Sequence, residues 1–276
     1  MDVYWLEQTE ADMPAENDWL SPSEAVRLNG MRFAKRRADW RLGRWTAKRA
    51  LATYLNVPGH PQALTEIEIR PAPSGAPDVF FANKPAAVTV SLSHRAGTAV
   101  CAVALSGAAL GWDLEVIEPR SDSFVADYFT TEEQALVARA FAGDRPRLCA
   151  LLWSGKESAL KALRAGLRLD TRCVIVSPVD ALGRQGKDGD GHAEDSALAV
   201  RLSDGSYSWR PLHVRYTNGG IFRGWWHYTG NLLRTMVAVP PPVPPILLNF
   251  ISGTECNPVG FSSGHKRWKA GAAGRS

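Results

Sequence analysis

The chain has 276 residues, 45% hydrophobic and 22% charged, the make-up of a folded globular protein with one large or two small domains. Its 32 lysines and arginines against 28 acidic residues leave a net charge of +4 and a sequence pI of about 8.9, which favours acidic partners without demanding nucleic acid. No run reaches the ~18 apolar residues of a membrane span. The start Met1-Asp2-Val3-Tyr4-Trp5-Leu6-Glu7 lacks a signal peptide's basic stretch, and Cys101, Cys149, Cys173 and Cys256 stand apart without disulfide or zinc spacing. The expectation is a cytoplasmic protein with free thiols and no membrane association.

A short strand over Val3 to Glu7 opens the chain, followed by an acidic loop. Ser21-Pro22-Ser23-Glu24 starts a helix, with Ser21 as N-cap, Pro22 at the first position and Glu24 closing a capping box. A longer helix is expected from Phe33 to Leu55, stopping before Pro58-Gly59. It carries Arg32, Lys35, Arg36, Arg37, Arg41, Arg44, Lys48 and Arg49 against Asp39 alone, either a solvated face or an anion-binding one, since the planar guanidinium fork suits phosphate. Strands follow at Glu66 to Arg70, Val88 to Leu92, Thr98 to Leu105 and Leu110 to Val116, with a turn-rich loop over residues 71–77. The second half repeats the order. Helices at Ser123 to Phe129, Thr131 to Phe141 and Arg145 to Arg164 precede strands at Cys173 to Ser177, Leu198 to Leu202, Tyr207 to Tyr216, Ile221 to Tyr228 and Leu232 to Val239. Gly183 to Ser196 reads as a solvated connection, not a calcium loop.

The expected fold is therefore α+β, two similar subdomains each with a helix on a small antiparallel sheet, and no residue-level repeat is apparent. The boundaries fall at 1–118, 119–240 and 241–276. At the last boundary Pro240-Pro241-Pro242-Val243-Pro244-Pro245 ends the folded part, and a poorly ordered basic tail follows.

Two stretches carry chemistry. In Gly111-Trp112-Asp113-Leu114-Glu115-Val116 the strand period turns both carboxylates to one side, where they repel unless a cation lies between them. In Trp153-Ser154-Gly155-Lys156-Glu157-Ser158-Ala159-Leu160-Lys161 the helical pitch aligns Trp153, Glu157 and Lys161. If strand and helix meet, Asp113, Glu115 and Glu157 offer three oxygen ligands to a hard cation such as Mg²⁺.

These two stretches, with Glu115 and Glu157 separated by 42 positions, resemble the signature motifs of the 4′-phosphopantetheinyl transferase superfamily. Ser91-Leu92-Ser93-His94 is similar to a third motif, and Arg36-Arg37-Ala38-Asp39-Trp40-Arg41-Leu42-Gly43-Arg44 to the N-terminal basic region. The length resembles the surfactin-type group, whose members are single-chain pseudodimers with the site between subdomains. The resemblance implies transfer of phosphopantetheine from coenzyme A to a serine of an apo acyl or peptidyl carrier protein, releasing adenosine 3′,5′-bisphosphate. It implies Asp113, Glu115 and Glu157 as Mg²⁺ ligands, Glu157 also as base, and Lys161 as the neutralising cation. Ser93, His94, Arg44 and Arg37 are implied at the phosphates of coenzyme A, and a monomer is expected. One departure is Gly75-Ala76-Pro77 where many members have Gly-Lys-Pro; Arg70 is the candidate replacement for the missing cation. Two alternatives remain: a catalytically silent relative that binds coenzyme A, and a nucleic-acid or anion-binding module built on the basic helix.

Overall fold

The computed structural model describes residues 1–178 and 208–249, the Leu167 side chain excepted. In chain order the elements are β1 (Tyr4–Thr9), α1 (Pro22–Asn29), α2 (Ala34–Leu55), α3 (Pro61–Thr65), β2 (Ile67–Pro71), β3 (Pro77–Phe81), β4 (Lys84–Pro85), β5 (Val88–Arg95), β6 (Thr98–Leu105) and β7 (Ala109–Val116). Then come α4 (Asp122–Tyr128), α5 (Thr131–Ala138), α6 (Arg145–Ala162), β8 (Val174–Pro178), β9 (Arg210–Tyr216), β10 (Ile221–Thr229), β11 (Leu232–Val239) and β12 (Ile246–Leu247). The strand expected at Leu198 to Leu202, the loop from Gly183 to Ser196 and the tail from residue 250 lie outside the described residues.

Among the described residues three sheets form, ordered β12-β1-β6-β5, β7-β11-β10-β9-β8 and β2-β3-β4. Helix α2 packs on β6 and β1, and α6 packs on β7 and β11. Each helix buries an apolar core against its sheet, Leu51 and Ala47 with Cys101 and Val103 in one, and Leu152 and Ala159 with Val237 and Leu233 in the other. Strand β7, grouped by sequence with the N-terminal half, takes its backbone partners from the second sheet, with Asp113 opposite Thr235 of β11. Its other edge meets β5 through side chains. The Ser91 hydroxyl accepts from the Trp112 amide (2.8 Å) and the Ser93 hydroxyl from the Leu114 amide (3.2 Å). Those hydroxyls satisfy donors that a buried strand edge cannot leave unpaired. Trp5 of β1 stacks on Trp112 of β7 at 5.2 Å, sealing the same junction.

A buried unit occurs twice. Lys48 of α2 and Lys156 of α6 are both fully buried, with Nζ 2.6 Å from Glu24 Oε2 and 2.7 Å from Glu133 Oε2. Each glutamate is the third residue of a capping box, begun by Ser21 and by Thr130. Each also accepts a strand amide with its other oxygen, from Ile69 at 3.4 Å and from Val176 at 2.8 Å. Trp45-Thr46-Ala47-Lys48 and Trp153-Ser154-Gly155-Lys156 are thus corresponding segments, a residue-level repeat the sequence reading missed. The hairpins β5–β6 and β10–β11 match too, closing with Arg95 opposite Thr98 and Thr229 opposite Leu232.

Residues 241–249, expected to begin a poorly ordered tail, instead lie along β1. The N-terminal ammonium donates to the Pro241 carbonyl (2.8 Å), Ile246 to the Val3 carbonyl (2.9 Å) and Leu248 to the Trp5 carbonyl (2.7 Å). The reason is the unpaired outer edge of β1, which a parallel segment covers.

One glycine sets the spacing of helix and strand. A Cβ on Gly111 would lie 1.7 Å from the Ser158 carbonyl oxygen, so α6 rests directly on β7 there. Gly111→Ala is expected to cost at least about 1–3 kcal/mol by overpacking. Chemical denaturation checks the stability, and a variant as stable as the parent would contradict this close packing.

Candidate functional site

The junction between the halves places the acidic strand, the start of the Ser91-to-His94 segment and the second face of α6 together. Asp113 is buried at their centre. Its Oδ1 accepts from Lys161 Nζ (2.8 Å) and Ser93 Oγ (3.0 Å), and its Oδ2 from Ser154 Oγ (2.8 Å). Burial works against this carboxylate's charge, but the Lys161 charge and hydrogen bond and the two hydroxyls more than offset it, so its pKa lies below the usual range. Lys161 also donates to the Trp112 carbonyl at 3.0 Å. Thr235 of β11 completes the knot, its hydroxyl 2.9 Å from Ser154 Oγ and 2.7 Å from Ser158 Oγ.

Glu115 is buried, and its contacts converge on Oε1: Arg95 Nε at 3.2 Å, Arg120 Nη2 at 3.1 Å and the Val116 amide at 2.9 Å. Burial pushes its pKa up, with the arginines and the amide pulling against it. The carboxyl of Glu157 is half-buried and also raised, first by burial, then by the charges of Asp113 and Glu115, with Lys161 opposing.

A cleft of about 940 Å³ opens beside this knot. Ser93, His94 and Lys161 line it at one side, and Arg44, Arg70 and Arg164 add guanidinium groups. The His94 ring is half-exposed at the mouth, 4.0 Å from Asp39, and its pKa is lowered by burial first and by Lys161 and Lys35, against Asp39 and Asp113. Arg44 lies over the Trp40 ring at 5.1 Å. Arg37 is exposed and does not line the cleft, so the phosphate role expected of it has no support in this arrangement. Its neighbour Arg36 instead joins Phe33, Lys35 and His94 around a smaller hollow of about 510 Å³. Ala76 and Arg70 line the same cleft, with the Arg70 guanidinium 4.1 Å from the Phe80 ring centre. Arg164, read from the sequence only as a helix end, pairs with Asp78 at the start of β3, two residues after Ala76.

The structure brings Asp113, Lys161 and Ser93 into direct contact and sets Glu115 and Glu157 near enough to feel Asp113's charge. It does not close them into a ligand set. Among the described residues no three His, Cys, Asp or Glu side chains come together as metal ligands. Asp113 is held by Lys161 and Glu115 by two arginines, so binding of one ion by all three carboxylates requires these side chains to close up. The donors nevertheless fit a hard divalent cation in kind, being oxygens, and in charge, since ionising Glu157 beside Asp113 is opposed until a cation arrives. Sequence reasoning also missed Ser154, Thr235, Arg95 and Arg120; of these only Ser154 stood in a quoted motif.

Residues 109–208 match the family model of the 4′-phosphopantetheinyl transferase superfamily. The matched segment begins at the first residue of β7 and contains Asp113, Glu115, Glu157 and Lys161, while Arg44, Ser93 and His94 lie before it. Among solved structures, the crystal structure of Helicobacter pylori holo-[acyl-carrier-protein] synthase in complex with coenzyme A is similar to this chain at 20% identity and a TM-score of 0.31, covering 38% of this chain and 99% of that one. A comparison with curated proteins finds no match. No helix among the described residues is long and apolar enough to cross a membrane.

Proposed function

We propose that this protein transfers the 4′-phosphopantetheine group of coenzyme A to a serine of an apo acyl or peptidyl carrier protein, releasing adenosine 3′,5′-bisphosphate. The observation that carries the reading is the knot of Asp113, Lys161 and Ser93 beside an arginine-lined cleft, with both acidic motifs inside the matched segment. Asp113, Glu115 and Glu157 are the residues that would hold Mg²⁺, which when bound supplies charge neutralisation on the pyrophosphate.

The chain's own groups do the rest. Glu157, its pKa raised by burial and by the charge of Asp113, takes the proton from the attacking serine hydroxyl. The serine oxygen forms a bond to the phosphorus bearing the pantetheine, and the bond from that phosphorus to the bridging oxygen breaks. Lys161 balances the charge that leaves with the nucleotide bisphosphate. Ser93, His94 and Arg44 hold phosphate oxygens, and Arg70 supplies the cation that Ala76 lacks. The two halves act as a surfactin-type pseudodimer in one monomeric cytoplasmic chain, a reading supported by the duplicated Lys–Glu unit.

The silent-relative reading keeps one observation in its favour, the pairing of Asp113 and Glu115 with cations of the chain itself. The nucleic-acid reading loses support because the basic helix is not a free basic face: Lys48 is in the core, Arg44 is in the cleft, and Arg41 donates to the Pro14 and Ala15 carbonyls.

Mass spectrometry of several apo carrier proteins after incubation with the protein, coenzyme A and Mg²⁺ tests the reading. A gain of one phosphopantetheine group, abolished by a chelator, is the expected result. Binding of coenzyme A without any gain on any carrier would favour the silent relative.

A further inference from the structure

Two cations that the proposed reaction does not use meet on one oxygen. Arg95 ends β5 in the first half, and Arg120 follows β7 toward α4 in the second. Both reach Glu115 Oε1, at 3.2 Å and 3.1 Å, where the Val116 amide also donates. Each of these three donors makes its closest approach to Glu115 at Oε1. The far ends of the same guanidiniums pair with Glu118 Oε1, Arg95 Nη2 at 3.4 Å and Arg120 Nη1 at 3.1 Å. Two arginines and two glutamates thus close a ring of zero net charge.

Arg120 is the firmer member. Its side chain is 18% exposed against 44% for Arg95. It lies over the Phe124 ring at 5.0 Å, and its carbonyl accepts from Arg145 Nη1 at 3.3 Å.

We propose that Arg95 and Arg120 are positioning residues that fix Glu115 through Oε1 so that Oε2 is presented to a divalent cation shared with Asp113 and Glu157. Glu118 anchors both arginines and cancels their charge, so the clamp orients the carboxylate without repelling the incoming ion. The inference rests on the reading that these carboxylates hold a cation. Ligating carboxylates depend on such outer partners, whose loss typically costs about 10–100-fold in metal affinity. A clamp drawn from both halves also ties metal affinity to how the halves sit at the junction.

Mn²⁺ binding, followed by loss of the free aquo-ion signal in electron paramagnetic resonance, tests this without any turnover. Arg120→Gln is expected to weaken Mn²⁺ binding about 10–100-fold, Arg95→Gln to weaken it less, and Glu118→Gln to weaken it by leaving the arginines uncompensated. Arg120→Lys should recover part of the loss, and it serves as the informative variant if Arg120→Gln does not fold by circular dichroism. Unchanged or tighter Mn²⁺ binding in Arg120→Gln would overturn the clamp, because the arginines would then be bystanders or competitors. A parent protein that binds coenzyme A but no Mn²⁺ would remove the metal reading and the clamp together, whereas failure of the variants alone to weaken binding removes only the clamp.

Discussion

Replacing Lys156 with Met is expected to destabilise the protein by about 3–5 kcal/mol, the cost of leaving a buried charge without its partner. Glu133 is fully buried, and among the described residues it receives, besides Lys156, only hydrogen bonds from Thr130 and from the Val176 amide. That cost is a large share of the ~5–15 kcal/mol that holds a typical domain together. The Lys156 pKa is lowered by burial, with Glu133 pulling it back up, so the ammonium too depends on its partner. Urea denaturation of the parent, Lys156→Met, Glu133→Gln and the double variant forms the test. The double variant should be more stable than Lys156→Met alone, because Gln removes the stranded charge and keeps one acceptor oxygen, which can still serve the Val176 amide. A single-variant loss below about 1 kcal/mol, the level of an exposed pair, would refute the assignment. Lys48→Met should behave alike through Glu24, although Arg44 near Glu24 (3.7 Å) softens its effect.

Glu157→Gln is expected to lower the rate of transfer by about 10²–10⁴-fold, the range for loss of a positioned general base. The same change should raise thermal stability near neutral pH. The folded protein holds the Glu157 carboxyl above its ordinary value, so it binds more protons than the unfolded chain across the window between the two pKa values. Stability therefore falls as pH rises through that window, and Gln removes the penalty. The melting advantage should shrink as pH drops through about 4, the ordinary glutamate value, and vanish below it, where both folded and unfolded carboxyls are protonated. A variant that loses activity but melts lower than the parent at every pH would mean that Glu157 is structural support, and the base would have to be sought elsewhere.

Much of this arrangement could be read from local pattern. The bounds of β6 and β11 coincide with the expected strands, and α1 begins at the capping box read from Ser21 and Glu24. Asp113 and Lys161 were legible because strand period and helical pitch fix their faces. What escaped detection depends on long-range contact. Strand β3 hides beside a proline- and glycine-rich loop whose composition signals only a turn. Strand β12 follows a proline run that looks like a terminus, and only the open edge of β1 explains it. Lys48 reads as part of a solvated or anion-binding face, and Lys156 stands in its motif with no role, since lysine is seldom buried unless paired. The signal that could have exposed them was comparison of the two halves, where a Trp, a small hydroxyl residue, a small apolar residue and a Lys recur in the same order. Arg95 and Arg120 carry no local mark at all, because their importance comes from meeting Glu115 across the junction.

The serine seam between β5 and β7 has a consequence for how opening at the site can be watched. The Trp112 and Leu114 amides are protected from solvent deuterium by two side-chain oxygens, Ser91 Oγ and Ser93 Oγ. The alternation of an antiparallel ladder turns the neighbouring Asp113 amide the other way, toward β11. Adjacent amides of one strand thus respond to different events, two to separation of the halves and one to melting of the second sheet. Exchange at Trp112 and Leu114 that quickens while Asp113 stays protected would be the signature of the seam parting with both sheets intact, and slowing of those two amides by coenzyme A would record the ligand drawing the edges together.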